Sequence, residues 1–69
     1  MNYYINILPT RHYLGEHAHE VPWQEVIKII ISTKNPRRKG SVYEIEKDGY
    51  YILFSIKDKM AYVINAKHL

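Results

Sequence analysis

The pattern of apolar and polar residues is clearest in the C-terminal part of the chain, where it predicts three antiparallel strands. Residues 42–47 alternate polar and apolar side chains, which is the period of a half-buried strand. Asp48-Gly49 follows, a pair that tolerates the two positive φ angles of a type I′ hairpin turn. Further β-rich runs cover residues 50–56 and 60–67. Residues upstream must cover one face of this sheet.

The length of the second turn decides which side chains of the last strand face the core. A three-residue loop over 57–59 pairs Ile56 with Met60, whereas a two-residue turn at Asp58-Lys59 flips the last strand and sends Asn65 inward. We favour the three-residue loop because a buried Asn65 needs a hydrogen-bonding partner. The predicted apolar face then consists of Tyr43, Ile45, Ile52, Phe54, Ile56, Met60, Tyr62 and Ile64. The opposite face carries Glu44, Glu46, Tyr51, Ser55, Asn65 and Lys67, with Leu53 and Val63 among them.

The N-terminal residues predict a short strand and a weak helix. Asn2 to Leu8 alternates apolar and polar residues as a strand or extended arm does, and Pro9 ends it. Thr10 is a suitable N-cap for a helix over residues 11–19. Gly15 in the middle of that helix weakens it by about 1 kcal/mol relative to alanine.

A second and stronger helix is predicted over residues 22–33. Pro22 lies in its first turn, and Glu25 lies near the positive end of the helix dipole. A broad apolar stripe then packs on the sheet. We therefore predict an α+β fold, with two helices packed on one face of an antiparallel three- to four-stranded sheet, in the order β-α-α-β-β-β. The predicted core consists of Trp23, Ile27, Ile30, Ile31, Ile45, Ile52, Phe54 and Ile64.

Size and composition indicate one small domain, residues 1–69, with marginal stability of its own. The chain contains no cysteine, which excludes disulfides and fits a reducing compartment. The longest apolar run, Val26 to Ile31, is too short to cross a membrane, and no signal peptide is visible. We expect a cytoplasmic protein that associates with a partner protein or with a second copy.

Positive charge is concentrated between the second helix and the sheet. The chain carries a formal net charge of +3, and the segment 34–40 contains four positive residues, Lys34, Arg37, Arg38 and Lys39. One interpretation is a solvated loop. The other is a loop that contacts the phosphates of a nucleic acid, because Lys and Arg neutralise backbone charge there.

Three histidines near the N-terminus raise the question of a metal site. His17 and His19 are two residues apart, and on a helix such positions face different sides, whereas His12 lies five residues before His17. No Asp, Glu or Cys pattern completes a ligand set, and no phosphate-binding glycine loop or Ser-His-Asp arrangement is present. We therefore expect neither a metal nor a cofactor.

Several short strings resemble a known family. Pro9 and Arg11 lie at a suitable distance before the string His-Glu-Val-Pro-Trp-Gln-Glu-Val at 19–26, and the chain closes on Val-Ile-Asn-Ala-Lys-His at 63–68. This arrangement resembles the BrnT-type toxins of bacterial toxin–antitoxin pairs, relatives of the RelE-like ribonucleases. Thr-Arg-His at 10–12 resembles the Thr-x-His of a related family of uncharacterised domains.

The resemblance implies a toxin-like, metal-independent ribonuclease with an antitoxin-like protein as a partner. Such cleavage needs a base, a cation for the phosphoryl oxygens and an acid for the leaving oxygen. The resemblance assigns these tasks to Arg11, Lys67 and His68, and the predicted register adds Tyr51 on the face of Lys67. RNA would contact Lys34, Arg37, Arg38 and Lys39.

Each of these residues also has a purely structural interpretation. Lys67 and His68 lie at a solvated strand end, and a tyrosine in so small a sheet is more often packing than catalysis. The chain also departs from the family at Leu8, which replaces an acid, and at Gly15 and Glu20. The alternative hypothesis is a non-catalytic RNA- or protein-binding module with the same fold.

Overall fold

The computed structural model describes residues 6–16 and 18–69, and these form an α+β fold of two helices and a five-stranded mixed sheet. The α+β class and the two helices confirm the prediction from the sequence. The order along the chain is β-α-α-β-β-β-β, with one strand more than predicted. The elements are β1 (Asn6–Pro9), α1 (Arg11–Glu16), α2 (Trp23–Ser32), β2 (Arg37–Lys39), β3 (Val42–Lys47), β4 (Tyr50–Lys57) and β5 (Met60–His68).

The strands lie side by side in the order β1-β5-β4-β3-β2. β2 to β5 pair antiparallel, but β1 pairs with β5 in parallel, with Asn6 opposite Met60 and Pro9 opposite Val63. The prediction of a purely antiparallel sheet is therefore wrong. A parallel neighbour requires a long crossover connection, which the two helices and the following strands supply here. The predicted residues 2–5 of the first strand lie outside the described residues.

α1 begins where the sequence predicts and ends earlier. The backbone N–H of Tyr13 donates to Thr10 Oγ1 (3.3 Å), and the Thr10 hydroxyl donates to the carbonyl of Val63 in β5 (2.7 Å). Thr10 therefore caps the helix and also fixes it to the sheet. The helix ends at Glu16 rather than at residue 19, and Gly15 lies in its last turn. The low helix propensity of glycine explains the early end.

α2 agrees with the prediction to within a residue at each end. It covers Trp23–Ser32, with Pro22 at the N-cap position and Glu25 in the first turn. The helix stops at Thr33, whose backbone is extended and whose hydroxyl donates to the carbonyl of Ile29 (2.7 Å). Its inward residues Val26, Ile29 and Ile30 are buried. Neither described helix is long and apolar enough to span a membrane.

Both hairpins of the sheet close with two-residue turns. Asp48 (φ 53°) and Gly49 (φ 80°) adopt the positive angles predicted for the first turn. Asp58 (φ 53°) and Lys59 (φ 64°) form the second turn in the same way, with Lys57 opposite Met60. The prediction of a three-residue loop is therefore wrong. The shorter turn reverses the orientation of the start of β5, so Ala61 and Val63 face the core in place of Met60 and Tyr62.

A β-bulge in β5 restores the predicted orientation at the end of the strand. Phe54 lies opposite Val63, but the next pair is Leu53 with Asn65, so Ile64 is the extra residue. After the bulge Ala66 faces the core, and Asn65 and Lys67 face the other way. The polar Asn65 is thus kept out of the core even though the turn contains two residues. The predicted core position of Ile64 is wrong for the same reason.

One hydrophobic core lies between the helices and one face of the sheet. Of the predicted core residues, Ile30, Ile45, Ile52 and Phe54 are buried, and Trp23 and Ile27 are half-buried. Ile31 is 54% exposed, which contradicts the prediction. The core cluster contains Tyr13, Val21, Val26, Ile29, Ile30, Ile45, Ile52, Phe54, Ala61, Val63 and Ala66.

Tyr13 and Val21 were not predicted in the core. The Tyr13 hydroxyl donates to the carbonyl of Val21 (2.6 Å), so its polar atom is satisfied inside the core. Burial raises the pKa of the Tyr13 hydroxyl above its ordinary value. The ring centroid lies 5.3 Å from that of Trp23, which joins the two helices.

Candidate functional site

Both described helices contribute to the core on one side of the sheet, and no described element packs against the other side, which we call the open face. Side chains alternate along each strand, so the pairing of the strands defines this face. Its residues are Asn6 and Leu8 of β1, Arg37 and Lys39 of β2, Val42, Glu44 and Glu46 of β3, Tyr51, Leu53, Ser55 and Lys57 of β4, and Met60, Tyr62, Asn65 and Lys67 of β5.

A hydrogen-bonded polar network crosses three strands of the open face. Arg37 donates through Nε to Glu44 Oε1 (2.8 Å) and through a terminal nitrogen to Glu46 Oε1 (2.9 Å). The Tyr51 hydroxyl donates to the second oxygen of Glu44, Oε2 (2.7 Å). The pairing of Arg37 with Glu44 and of Glu46 with Tyr51 places these groups within reach. Glu44 is only 8% exposed, so both of its oxygens are used almost out of contact with water.

The network shifts the pKa values of its members away from neutrality. The hydrogen bond from Tyr51, helped by the bond from Arg37, lowers the pKa of Glu44 even though desolvation opposes this shift. The same bond to Glu44, together with desolvation, raises the pKa of the Tyr51 hydroxyl. Glu44 is therefore held ionised and Tyr51 neutral. A general base or acid near pH 7 needs shifts in the opposite directions.

Lys67 lies above the ring of Tyr51, with its amino nitrogen 5.4 Å from the ring centroid. The two residues are direct neighbours across β4 and β5. This distance is within the range of a cation–π contact. The open face thus brings together two of the four predicted catalytic residues.

The other two predicted catalytic residues lie on the helical side of the sheet. The backbone N–H of His68 donates to a carboxylate oxygen of Glu20 (3.0 Å), and its ring nitrogen Nε2 lies 3.0 Å from the carbonyl of Glu20. The His68 ring also packs beside Tyr50, which contacts the core. Arg11 is exposed at the start of α1, the helix that places Tyr13 in the core. The four residues are therefore divided between the two faces.

The predicted basic loop is partly a strand, which separates its charges. Arg37 to Lys39 form β2, so alternate side chains point to opposite faces. Arg37 and Lys39 lie on the open face, whereas Arg38 points to the other side and donates to the carbonyl of Gly40 (3.1 Å). Lys34 lies in the preceding bend. The four basic residues do not form one cluster.

A groove of about 350 Å³ lies between the end of α2 and the outer edge of the sheet. Lys47 of β3 connects the sheet to the end of α2 across this groove. Its amino group donates to the carbonyl (2.9 Å) and to the hydroxyl (3.0 Å) of Ser32. A cation at the C-terminus of a helix is favourable. Sequence reasoning missed this groove because it depends on the unpredicted β2. The lining residues are Ser32, Thr33, Lys34, Asn35, Arg37, Glu44, Ile45, Glu46 and Lys47.

Asn65 carries a buried acceptor that finds no partner among the described residues. Its side-chain oxygen Oδ1 is out of contact with solvent and accepts no hydrogen bond from the residues that the structure describes. An unsatisfied buried acceptor costs about 1–3 kcal/mol. The bulge at Ile64 places this side chain beside Leu53 on the open face. The sequence predicts the face of Asn65, but not the burial of its oxygen.

The described histidines do not form a metal site. Within residues 6–16 and 18–69, no group of three His, Cys, Asp or Glu side chains is placed to hold a metal ion. His17 lies outside the described residues.

Comparison with protein families, with curated proteins and with solved structures finds no match to this chain. The resemblance to the BrnT-type toxins therefore stays a prediction from short strings.

Proposed function

We propose that this protein is a non-catalytic binding module that recognises another protein through the open face. The division of the predicted catalytic residues between two faces supports this proposal. So do the pKa shifts of Glu44 and Tyr51, which disfavour proton transfer near neutral pH. The open face must then be explained by recognition rather than by chemistry.

The composition of the open face carries the proposal. Its middle contains half-buried apolar side chains, Leu53, Tyr62 and Val42, on neighbouring strands. Charged and exposed side chains, such as Lys39 and Lys67, surround them. An apolar centre within a polar rim is the usual anatomy of a protein–protein interface.

The charges of this face favour a protein over RNA. Glu44 and Glu46 lie on the same face as the basic residues, and both accept from Arg37. The guanidinium of Arg37 is therefore already neutralised, and the two carboxylates repel a phosphate backbone. Lys39, Lys57 and Lys67 are left on three different strands of the face, which gives RNA few contacts.

The test changes one apolar residue on each side of the domain to aspartate. Leu53→Asp places a charge in the centre of the open face, whereas Leu14→Asp is a matched control on α1, where Leu14 is already 57% exposed. We expect affinity capture from producing cells to lose its protein partner only with Leu53→Asp. Circular dichroism must show that both variants fold. Equal recovery of the partner with both variants would remove the open face as the binding surface.

The second candidate function is the toxin-like ribonuclease. The contact between Lys67 and the ring of Tyr51 favours it, because a cation and a phenol lie side by side on an accessible face. Inducing the wild type and the Lys67→Ala variant in cells, while growth and messenger RNA are followed, tests this function. Arrested growth with cleaved transcripts, abolished by Lys67→Ala, would support it. Normal growth with intact transcripts leaves the binding module.

A further inference from the structure

We propose that the partner at the open face is a second copy of this chain, with the two open faces packed together and a twofold axis parallel to β4. This proposal rests on the proposed function and names its partner. The arrangement of charges on the face carries the inference.

The charges on the two sides of β4 are complementary. Lys67 of β5 and Glu46 of β3 are the two cross-strand neighbours of Tyr51 in β4. A rotation of 180° about an axis parallel to β4 exchanges the positions of β3 and β5. Lys67 of each copy then lies above Glu46 of the other copy. The two copies therefore form two equivalent Lys67–Glu46 ion pairs. Glu46 retains an oxygen for this contact, because Arg37 uses only Oε1.

The apolar residues follow the same symmetry. Leu53 lies on β4, the strand next to the axis, and therefore contacts Leu53 of the second copy. Tyr62 and Val42 lie on opposite sides of Ser55, on β5 and β3, so Tyr62 of one copy lies over Val42 of the other. Packed sheets with aligned strands bring such side chains into contact across about 10 Å.

The size of the face predicts a weak dimer. Five strands about 4.8 Å apart and a strand length of about 20 Å give a flat area on the order of 400 Å² for each copy. The total buried area, about 800 Å², is then smaller than that of a stable specific interface. We therefore expect a dimer that dissociates on dilution.

A charge exchange tests the predicted pairs. Sedimentation velocity over a concentration series of the wild type should show a monomer that becomes a dimer. Lys67→Glu and Glu46→Lys each place like charges together and should weaken the dimer at least about tenfold. The double variant Lys67→Glu, Glu46→Lys restores opposite charges and should recover the dimer. Lys28→Glu, at an exposed position on α2, is the control and should dimerise like the wild type.

Three outcomes would overturn this proposal: a wild type that stays monomeric at every concentration, single variants that dimerise as well as the wild type, or a double variant that does not recover. The capture experiment with Leu53→Asp distinguishes a failure of the dimer proposal from a failure of the proposed binding function. A monomeric wild type that loses another captured protein on that change retains the proposed function and excludes the second copy. A monomer with no loss of partner excludes both.

Discussion

Neighbouring residues of β4 lie in opposite environments, because their side chains point alternately to the core and to the open face. Ile52 and Phe54 are fully buried beneath the helices, whereas Tyr51 and Leu53 are half-buried on the open face. The core cluster behind this face contains only apolar side chains and Tyr13, whose hydroxyl is satisfied. The open face combines apolar side chains with an ion-paired network. One face therefore forms the hydrophobic core, whereas the other mixes apolar and charged side chains.

The difference follows from the placement of the two described helices. The two helices, of six and ten residues, cover one side. Apolar side chains on the other side then stay in contact with water unless a partner covers them.

Deleting Ala66 should have the largest effect, because it places a polar side chain opposite Ile52 in the core. Lys67 takes the position of Ala66 if the bulge at Ile64 is kept, and Asn65 takes it if the bulge is lost. We expect a loss of at least about 4 kcal/mol in the free energy of unfolding, comparable with the whole stability of a small domain. Urea titration followed by tryptophan fluorescence measures it.

The matched control deletes Ile64, which removes the bulge residue but keeps Val63 and Ala66 on the core face and Asn65 and Lys67 on the open face. This deletion should therefore cost much less stability. If both deletions unfolded as cooperatively and at the same urea concentration, the orientation of the strand end would not decide the stability of the domain.

Truncating adjacent residues of β4 compares the two faces directly. Phe54→Ala should lower the free energy of unfolding by about 3–5 kcal/mol, because it leaves a cavity in the core. Leu53→Ala, measured at a concentration where the protein is monomeric, should lower it by about 1 kcal/mol, since its side chain is already partly exposed. Similar losses for both variants would mean that the open face is covered in the monomer.

Lys59→Gly should stabilise the protein slightly. Lys59 has φ 64°, a conformation that costs a side chain more than it costs glycine. We expect a gain of about 0.5–1 kcal/mol in urea unfolding. Lys57→Gly, in the adjacent strand, should instead destabilise the domain. A loss of stability with Lys59→Gly would contradict the two-residue turn that orients the start of β5.

The smallest effect concerns the pH dependence of the open-face network. The lowered pKa of Glu44 contributes stability above its ordinary value of 4.5, and this contribution is lost as the pH falls through the lowered folded value. The raised pKa of Tyr51 contributes stability below its ordinary value of 10.0, and this is lost as the pH rises through the raised folded value.

Urea unfolding at several pH values measures the difference between the wild type and Glu44→Gln. The difference should be constant near neutral pH and should shrink in acid. Tyr51→Phe should weaken the acid dependence, because it removes the hydrogen bond that lowers the pKa of Glu44 most. An unchanged acid dependence in Tyr51→Phe would exclude that hydrogen bond as the main cause.

The site was only partly predictable from the sequence. Alternation along β4 and β5 predicts that Tyr51 and Lys67 share a face, and the structure confirms this. The separation of His68 from Lys67 follows from the same alternation, since adjacent residues of a strand point to opposite faces. The network of Arg37 with Glu44 and Glu46 was not predictable, because it requires β2, a three-residue strand with no apolar residue to mark it.

The sequence by itself determined the local elements: the second helix, the three C-terminal strands and the turn at Asp48-Gly49. Each follows from contacts between residues close in the chain, through periodicity, capping and permitted φ angles. Only the tertiary structure decided the parallel pairing of β1, the register of β5 and the burial of Tyr13. These depend on the packing of distant residues, where a two-residue turn and a bulge together keep Asn65 out of the core while Ala61, Val63 and Ala66 fill it.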